Sequence, residues 1–141
     1  MRARSIRGYR DLEVWQKAMV LVELCYRVTR QYPITERYGL CSQSRRAAIS
    51  IPANIAEGQG REHLGDYLRH LSIANGSLME LETEFEAARR LGLLSETEFT
   101  LVAKRCGEVG RLLAGLIRSL KRLWNVRRPT PGTRHPTPSN R

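Results

Sequence analysis

Apolar residues recur every three or four positions over four long stretches of this chain, the spacing of helices that each bury one face. The first stretch begins at Asp11, a suitable N-cap residue, and runs to about residue 32. Its predicted buried positions are Leu12, Trp15, Met19, Val22, Tyr26 and Thr29. Pro33 ends this helix, because the residue before a proline avoids helical backbone angles.

The remaining stretches predict three more helices, over about residues 36–57, 63–91 and 95–123. Gly92 supplies a left-handed residue after the third helix, and Ser95 with Glu98 forms a capping box that begins the fourth. The predicted buried positions of these two helices are Leu64, Tyr67, Leu68, Leu71, Ala74, Leu78, Leu81, Phe85, Ala88, Phe99, Val102, Cys106, Val109, Leu113, Leu116, Leu120 and Leu123. Four helices of similar length with short connections predict an all-α protein, an antiparallel up-down four-helix bundle.

The second helix carries apolar or small residues on two sides. One side holds Leu40, Ser44, Ala47, Ala48, Ile51, Ile55 and Gly58. The opposite side holds Ile49, Ala53 and Ala56. A helix with two apolar sides usually packs against two neighbours, here its own bundle and a second copy of the chain. We therefore predict a homo-oligomer, with Ile49, Ala53 and Ala56 in the subunit interface.

Pro52 lies within the second helix and has two interpretations. It can occupy the first turn of a new helix capped by Ser50, where proline costs little. It can instead kink one continuous helix and remove the hydrogen bond to the Ala48 carbonyl, at a cost of about 3 kcal/mol. We favour the kink, because a break at Ser50 leaves a final piece of only about two turns. The candidate donors for the freed carbonyl are Asn54, Asn75 and Ser77.

Positive charge is concentrated at the two ends of the chain. The net charge is +10, and eight of these charges are arginines in residues 1–10 and 127–141, which contain no acidic residue. We divide the chain into a basic N-terminal arm (1–10), the bundle (11–126) and a Pro/Arg-rich tail (127–141). The tail has four prolines in fifteen residues and is predicted to be disordered. This charge distribution favours a polyanionic partner.

Basic residues of the second and fourth helices are the candidates for binding nucleic acid. They are Arg45, Arg46, Arg61, Arg111, Arg118, Lys121 and Arg122. The spacings of seven and four residues place Arg111, Arg118 and Arg122 on one helix face, a stripe that positions phosphates without reading sequence. The alternative is a solvated face paired with the acidic run of the third helix, which comprises Glu80, Glu82, Glu84 and Glu86.

The sequence carries no recognisable catalytic, cofactor or metal motif. A di-iron bundle needs Glu-x-x-His on two helices, and neither His63 nor His70 has a glutamate three residues before it. His63, Asp66 and His70 could share one helix face, but an acidic first turn with surface histidines is the simpler interpretation. The three cysteines lack metal or disulfide spacing, which favours reduced thiols in the cytoplasm. No apolar stretch is long enough to cross a membrane. We expect a protein that is not an enzyme.

Four segments carry a family resemblance: "YRDLEVWQKA", "YPITERYGL", "SQSRRAAISIPANIAEGQGR" and "IANGSLMELETE". In this order they resemble the successive motifs of the 23S ribosomal RNA intervening sequence proteins, over about residues 8–123. The resemblance implies a four-helix bundle that assembles into a ring, usually a pentamer, with a basic surface suited to nucleic acid. It implies no known catalytic activity.

The last helix, "EVGRLLAGLIRSLKR", is also similar to that of the accessory variability determinant proteins. Those proteins share the fold and assist the reverse transcriptases of diversity-generating retroelements, so a reverse transcriptase is an implied partner. The leading hypothesis is a non-enzymatic ring that binds structured RNA, or a partner that handles nucleic acid, through basic surfaces. The alternative is an oligomeric scaffold that binds proteins and no nucleic acid.

Overall fold

The computed structural model describes residues 6–127 and forms an all-α bundle there. Its α-helices are α1 (Glu13–Thr29), α2 (Leu40–Gln59), α3 (Leu64–Arg90) and α4 (Glu96–Arg127), with short 3-10 helices at Tyr9–Asp11 and Ile34–Glu36. The predicted fold class is confirmed. Most of the predicted tail and the first half of the basic arm lie outside the described residues.

Neighbouring helices in the chain are also neighbours in space. Helix α2 packs against α1 and α3, and α4 packs against α3 and α1. Within residues 6–127, α1 does not approach α3 and α2 does not approach α4, so these pairs lie across the diagonals of the bundle. This arrangement is the up-down order expected from short connections. In the same part of the chain, no helix is both long and apolar enough to cross a membrane.

The turns at the end of α3 follow the sequence signals. Gly92 has a φ of +75°, and the amides of Gly92 and Leu93 donate to the carbonyls of Arg89 and Ala88. These bonds form a Schellman motif. The predicted capping box is also confirmed, since the Glu98 amide donates to Ser95 Oγ and the Ser95 amide donates to the Glu98 carboxylate.

The start of α1 differs from the prediction. Its N-cap residue is Leu12, and Asp11 belongs to the preceding 3-10 helix, where its carboxylate accepts a hydrogen bond from the Arg7 amide. The Tyr9 ring packs against Trp15 at 5.2 Å, and the Arg10 guanidinium lies over both rings. These contacts hold the end of the predicted arm against the bundle. Helix α1 therefore begins at Glu13, with Leu12 and not Asp11 as its N-cap residue.

The buried stripe of α1 is rotated from the predicted one. Its buried residues are Val14, Ala18, Leu21, Leu24, Cys25, Val28 and Thr29. Of the predicted positions, Leu12 and Thr29 are buried, Trp15, Val22 and Tyr26 are half-buried, and Met19 is exposed. The prediction followed the largest side chains. In the bundle, the fully buried Ala18 and Cys25 occupy the centre of the face, because α1 packs between two neighbours and large rings fit only at its edges.

Helix α2 continues without interruption through Pro52, which is buried. The interpretation of one continuous helix is therefore confirmed over a new helix at Ser50. The donor assignment was wrong, because Asn54 Nδ2 donates to the Ser50 carbonyl at 2.9 Å and not to that of Ala48. An asparagine side chain readily reaches the carbonyl four residues before it, one helical turn away. Ser77 contacts Ser50 Oγ, and Asn75 is near Met79.

Candidate nucleic-acid and subunit interfaces

The α4 stripe, defined as Arg111, Arg118, Lys121 and Arg122, is exposed to solvent along its whole length. It lies on the second half of the longest helix in the bundle. Among residues 6–127, none of these four side chains is within ion-pair distance of a carboxylate. The stripe therefore presents four cations that the described chain does not neutralise, which suits an anionic ligand.

Within residues 6–127, the acidic run of α3 does not pair with the α4 stripe. The Glu86 carboxylate accepts hydrogen bonds from Arg89 at 2.7 Å and from Arg90 at 3.1 Å, and these bonds lower its pKa to about 2. Glu84 is buried inside the bundle. The alternative pairing of this run with the α4 stripe does not occur within the described residues.

Arg45 is held by the bundle itself. Its Nε donates to Thr29 Oγ1 at 3.0 Å, and its guanidinium lies 4.4 Å from the centre of the Tyr26 ring. Thr29 Oγ1 in turn donates to the Cys25 carbonyl at 2.7 Å. Arg45 therefore joins α2 to α1, and a phosphate would have to compete with these internal partners.

The other two basic candidates near α2 differ from each other. Arg61 forms an ion pair of 2.9 Å with Glu57, and both side chains are about half exposed. Arg46 is exposed and, within the described residues, has no hydrogen bond or ion pair. The structure thus leaves Arg46 as the α2 arginine with an open guanidinium.

The predicted subunit interface is open to solvent in the single chain. Ile49 is 45% exposed, Ala53 is exposed and Ala56 is half-buried. On the other side of α2, all of the predicted bundle-facing residues except the half-buried Leu40 are buried. The two sides of α2 therefore differ as the sequence predicted, with one inside the bundle and the other available to a partner.

Polar side chains line the contact between α2 and α3, which we call the α2/α3 seam. Ser50 Oγ and Ser77 Oγ are 2.8 Å apart. Further along, His70 Nδ1 lies 3.1 Å from Asn54 Oδ1. Because the Asn54 amide nitrogen already donates to the Ser50 carbonyl, its oxygen is an acceptor and His70 Nδ1 is the donor.

His70 is not the surface histidine that the sequence suggested. It is 5% exposed, and its Nε2 has no hydrogen-bond partner in the described chain. The partner of its other nitrogen, Asn54, is sixteen residues away on another helix, so no local pattern could reveal it. No group of three or more histidine, cysteine or acidic side chains within residues 6–127 could hold a metal ion.

Glu84 is a second seam residue that the sequence did not single out as buried. It is 7% exposed, and in the part of the chain described its carboxylate forms no hydrogen bond of ordinary geometry, although the Ser44 hydroxyl lies near it. Burial raises the pKa of Glu84 to about 7, and the Glu80 carboxylate adds to the rise, while Ser44 and Arg46 oppose it. Its spacing of three residues from Leu81 and four from Ala88, which flank it on the buried face, was the available signal.

The seam is narrow where Gly58 meets α3. A Cβ atom on Gly58 would lie 2.7 Å from His70 Cβ and 3.2 Å from the Tyr67 carbonyl oxygen. Only a glycine lets the two helices approach so closely.

The cysteines lie elsewhere in the bundle, where burial raises the pKa of both Cys25 and Cys106 to about 12. Both thiols are therefore protonated at neutral pH and are poor nucleophiles.

Comparison with known proteins gives one family and one fold. The model of the 23S rRNA-intervening sequence protein family matches residues 10–115. Among solved structures, a protein of unknown function from the S23 ribosomal protein family of Bacteroides thetaiotaomicron has a TM-score of 0.70 and 21% sequence identity. The match covers 74% of this chain and 95% of that protein. No curated protein matches this chain.

Proposed function

Because this chain belongs to the 23S rRNA-intervening sequence protein family, we propose that it is a non-enzymatic bundle that assembles into a ring and binds structured RNA. The observation that carries the proposal is the exposed α4 stripe, which has no acidic partner among residues 6–127. An exposed cation without a partner contributes little to folding and is available to a phosphate.

The spacing of the stripe suits the phosphate backbone of a nucleic-acid duplex rather than a single phosphate. Arg111 and Arg118 are about 10 Å apart along the helix axis, and Arg118 and Arg122 are about 6 Å apart. A duplex carries roughly one charge per 1.7 Å of its axis, so several phosphates fall within reach of one stripe. Double-stranded RNA is recognised mainly through its shape and its backbone, which requires no base contacts from these arginines.

Assembly would repeat the stripe once per subunit. The exposed Ile49 and Ala53 support a contact between copies, since burying them in a subunit interface removes apolar area from water. A ring, usually a pentamer in the proteins that this chain resembles, would then hold several stripes in fixed positions. Several weak phosphate contacts on one assembly raise the overall affinity without any new kind of contact.

RNA binding is tested by fluorescence anisotropy with a labelled RNA hairpin over a series of KCl concentrations. We expect binding that weakens steeply with salt. The triple variant Arg111→Ala, Arg118→Ala, Arg122→Ala should bind at least tenfold more weakly. Its slope of log K against log salt should be flatter by about 0.9 for each lost phosphate contact on a duplex.

A matched control removes the same charge elsewhere. Arg27, Arg30 and Arg69 are exposed and form no ion pair within the described residues. Their triple alanine variant should change the affinity less than threefold. Equal loss in both triples would show that net charge, and not the stripe, determines binding. If the wild type binds no RNA at any salt, the protein is a scaffold for a protein partner, such as a reverse transcriptase, and the proposal fails.

Assembly is tested by light scattering at micromolar concentration. We expect a mass that is a multiple of 16.1 kDa. Ala53→Glu should reduce the mass towards that of one subunit, because it places a charge in the proposed interface. Ala103→Glu makes the same change at an exposed position of α4 and should leave the assembly intact. A wild-type particle of one subunit would refute the ring.

A further inference from the structure

A polar groove of about 370 Å³ lies on the outer side of the α2/α3 seam. The residues that line it are Gln43, Arg46, Ala47, Ser50, Ser77 and Glu80. Its volume is near the lower end of the range for small-molecule sites, about 300–1,000 Å³, and is sufficient for one flat ligand of the size of a nucleobase. The hydrogen-bonded hydroxyls of Ser50 and Ser77 are part of its lining.

The groove contains opposite charges that do not pair with each other. Arg46 and Glu80 both line it and are both exposed, yet they are not within ion-pair distance, and neither has another hydrogen-bond partner in the described chain. The guanidinium therefore keeps its donors open, and the carboxylate keeps both acceptor oxygens open.

Glu84, the next acidic residue on the buried side of α3, does not line the groove. Glu84 lies one helical turn beyond Glu80, and its ionisation responds to the charges of both Glu80 and Arg46. Its two oxygens are fully buried, so a ligand in the groove cannot reach them. A phosphate in the groove would be repelled by the exposed Glu80 carboxylate. The groove thus differs from the α4 stripe and suits a neutral ligand that has donors on one edge and acceptors on another.

Among the RNA bases, guanine has this arrangement of edges. Its N1–H and N2–H donors are adjacent and match the two oxygens of one carboxylate. Its O6 and N7 acceptors match the fork of one guanidinium. Adenine, cytosine and uracil do not present two adjacent donors on one edge. In an unpaired nucleotide of RNA, both edges of the base are open to protein side chains.

We propose that the groove binds the guanine of an unpaired nucleotide, with Glu80 accepting from N1–H and N2–H and Arg46 donating to O6 and N7. This inference rests on the proposed RNA binding and deepens it. The α4 stripe holds the backbone of a structured RNA, and the groove selects a base in one of its loops. A protein that combined both sites would prefer hairpins with a guanine in the loop over hairpins with the same stem.

The test uses two labelled RNA hairpins that have the same stem and a loop of uridines, with one central guanosine or one central adenosine. Binding to the assembled full-length protein is measured at one fixed salt concentration. We expect about a tenfold preference for the guanosine hairpin. Glu80→Gln should reduce this preference to less than twofold, because the amide replaces one of the two acceptors with a donor. The same variant should leave the salt slope unchanged, since it removes no phosphate contact.

Glu82→Gln is the matched control. It makes the same charge change two residues away on α3, where Glu82 is exposed and does not line the groove. It should keep the preference for guanosine. Binding of both hairpins with equal affinity by the wild type refutes the base pocket and leaves the proposed function standing. A preference that persists in Glu80→Gln refutes it as well. The absence of binding to either hairpin refutes both the pocket and the proposed function.

Discussion

The α2/α3 seam and the α4 stripe are both rich in polar residues, but the bundle treats their charges in opposite ways. In the seam, Glu84 and His70 are almost completely buried, and each keeps a polar atom without a partner in the described chain. In the stripe, the four basic side chains are exposed and extend from one helix face into water.

This difference separates stability from binding. The buried Glu84 carboxyl carries a desolvation cost when it ionises, so it should make stability depend on pH. The close approach of the helices at Gly58 should make stability depend on side-chain size. Exposed cations contribute little to folding, so the stripe should determine affinity for an anionic ligand and leave stability unchanged. Substitutions at Gly58 and Glu84 should therefore change stability, and substitutions in the stripe should change ligand affinity.

The largest expected effect is that of Gly58→Ala in the seam. The new Cβ atom would overlap His70 Cβ at 2.7 Å, and both atoms are attached directly to the backbone. The helices would have to separate, at a cost of about 2–3 kcal/mol of unfolding free energy. Urea denaturation measures this loss. Gly76→Ala on α3, where a Cβ would meet nothing within 4 Å, should instead stabilise by about 0.5–1 kcal/mol. An unchanged midpoint for Gly58→Ala would show that the seam is loosely packed.

The next effect concerns Glu84, whose pKa is raised to about 7 in the folded protein from 4.5. Between these values the folded protein keeps a proton that the unfolded chain releases, so stability falls as the pH rises from 4.5 to 7 and stays low above it. Glu84→Gln should therefore stabilise by about 2 kcal/mol at pH 8 and have almost no effect at pH 4. Denaturation at the two pH values tests this.

Glu82→Gln on the exposed side of the same helix provides the control for that experiment. It should change stability by less than about 0.5 kcal/mol at either pH. A gain from Glu84→Gln that is equal at pH 4 and pH 8 would show that the buried charge is not its source.

A smaller effect distinguishes two arginines. Arg45→Ala removes a hydrogen bond to Thr29 and the contact with the Tyr26 ring, which together should cost about 1–1.5 kcal/mol. Arg111→Ala should change stability by less than about 0.5 kcal/mol, because its side chain is exposed and unpaired within residues 6–127. Thermal denaturation of the two variants measures the contrast. Similar losses would mean that the α4 stripe also supports the fold.

A small net effect on stability is expected for Pro52→Ala. The substitution restores a backbone donor inside α2 but removes part of a buried ring, so the two contributions nearly cancel and the subunit should change by less than about 1 kcal/mol. Assembly should weaken, because the kink predicted at Pro52 aims Ile49 and Ala56 outward and its loss would redirect them. Calorimetry and light scattering measure the two properties. Normal assembly of this variant would show that the proline has no role in the interface.

The sequence alone determined the number, order and class of the helices, because these features are local. The spacing of apolar residues, the prolines and glycines and the capping box each involve residues within a few positions of one another. The same local signal separated the two sides of α2, since Ile51 and Ile55 are fully buried and Ile49 is exposed. The basic candidates could also be identified, because a charged stripe on one face follows from spacing alone.

Only the tertiary structure decided the exact face of α1 and the partners of the polar residues. The surfaces of α2 and α4 determine which residues lie at the centre of the α1 face. Ala18 is fully buried there, whereas the larger Met19, which the sequence predicted to be buried, is exposed. Thr29 holds Arg45, and Asn54 holds His70, across distances of sixteen residues each. The sequence gives the direction of each side chain relative to its own helix. The groups that it meets depend on the rotation and separation of the neighbouring helices, which the packing of the whole core determines.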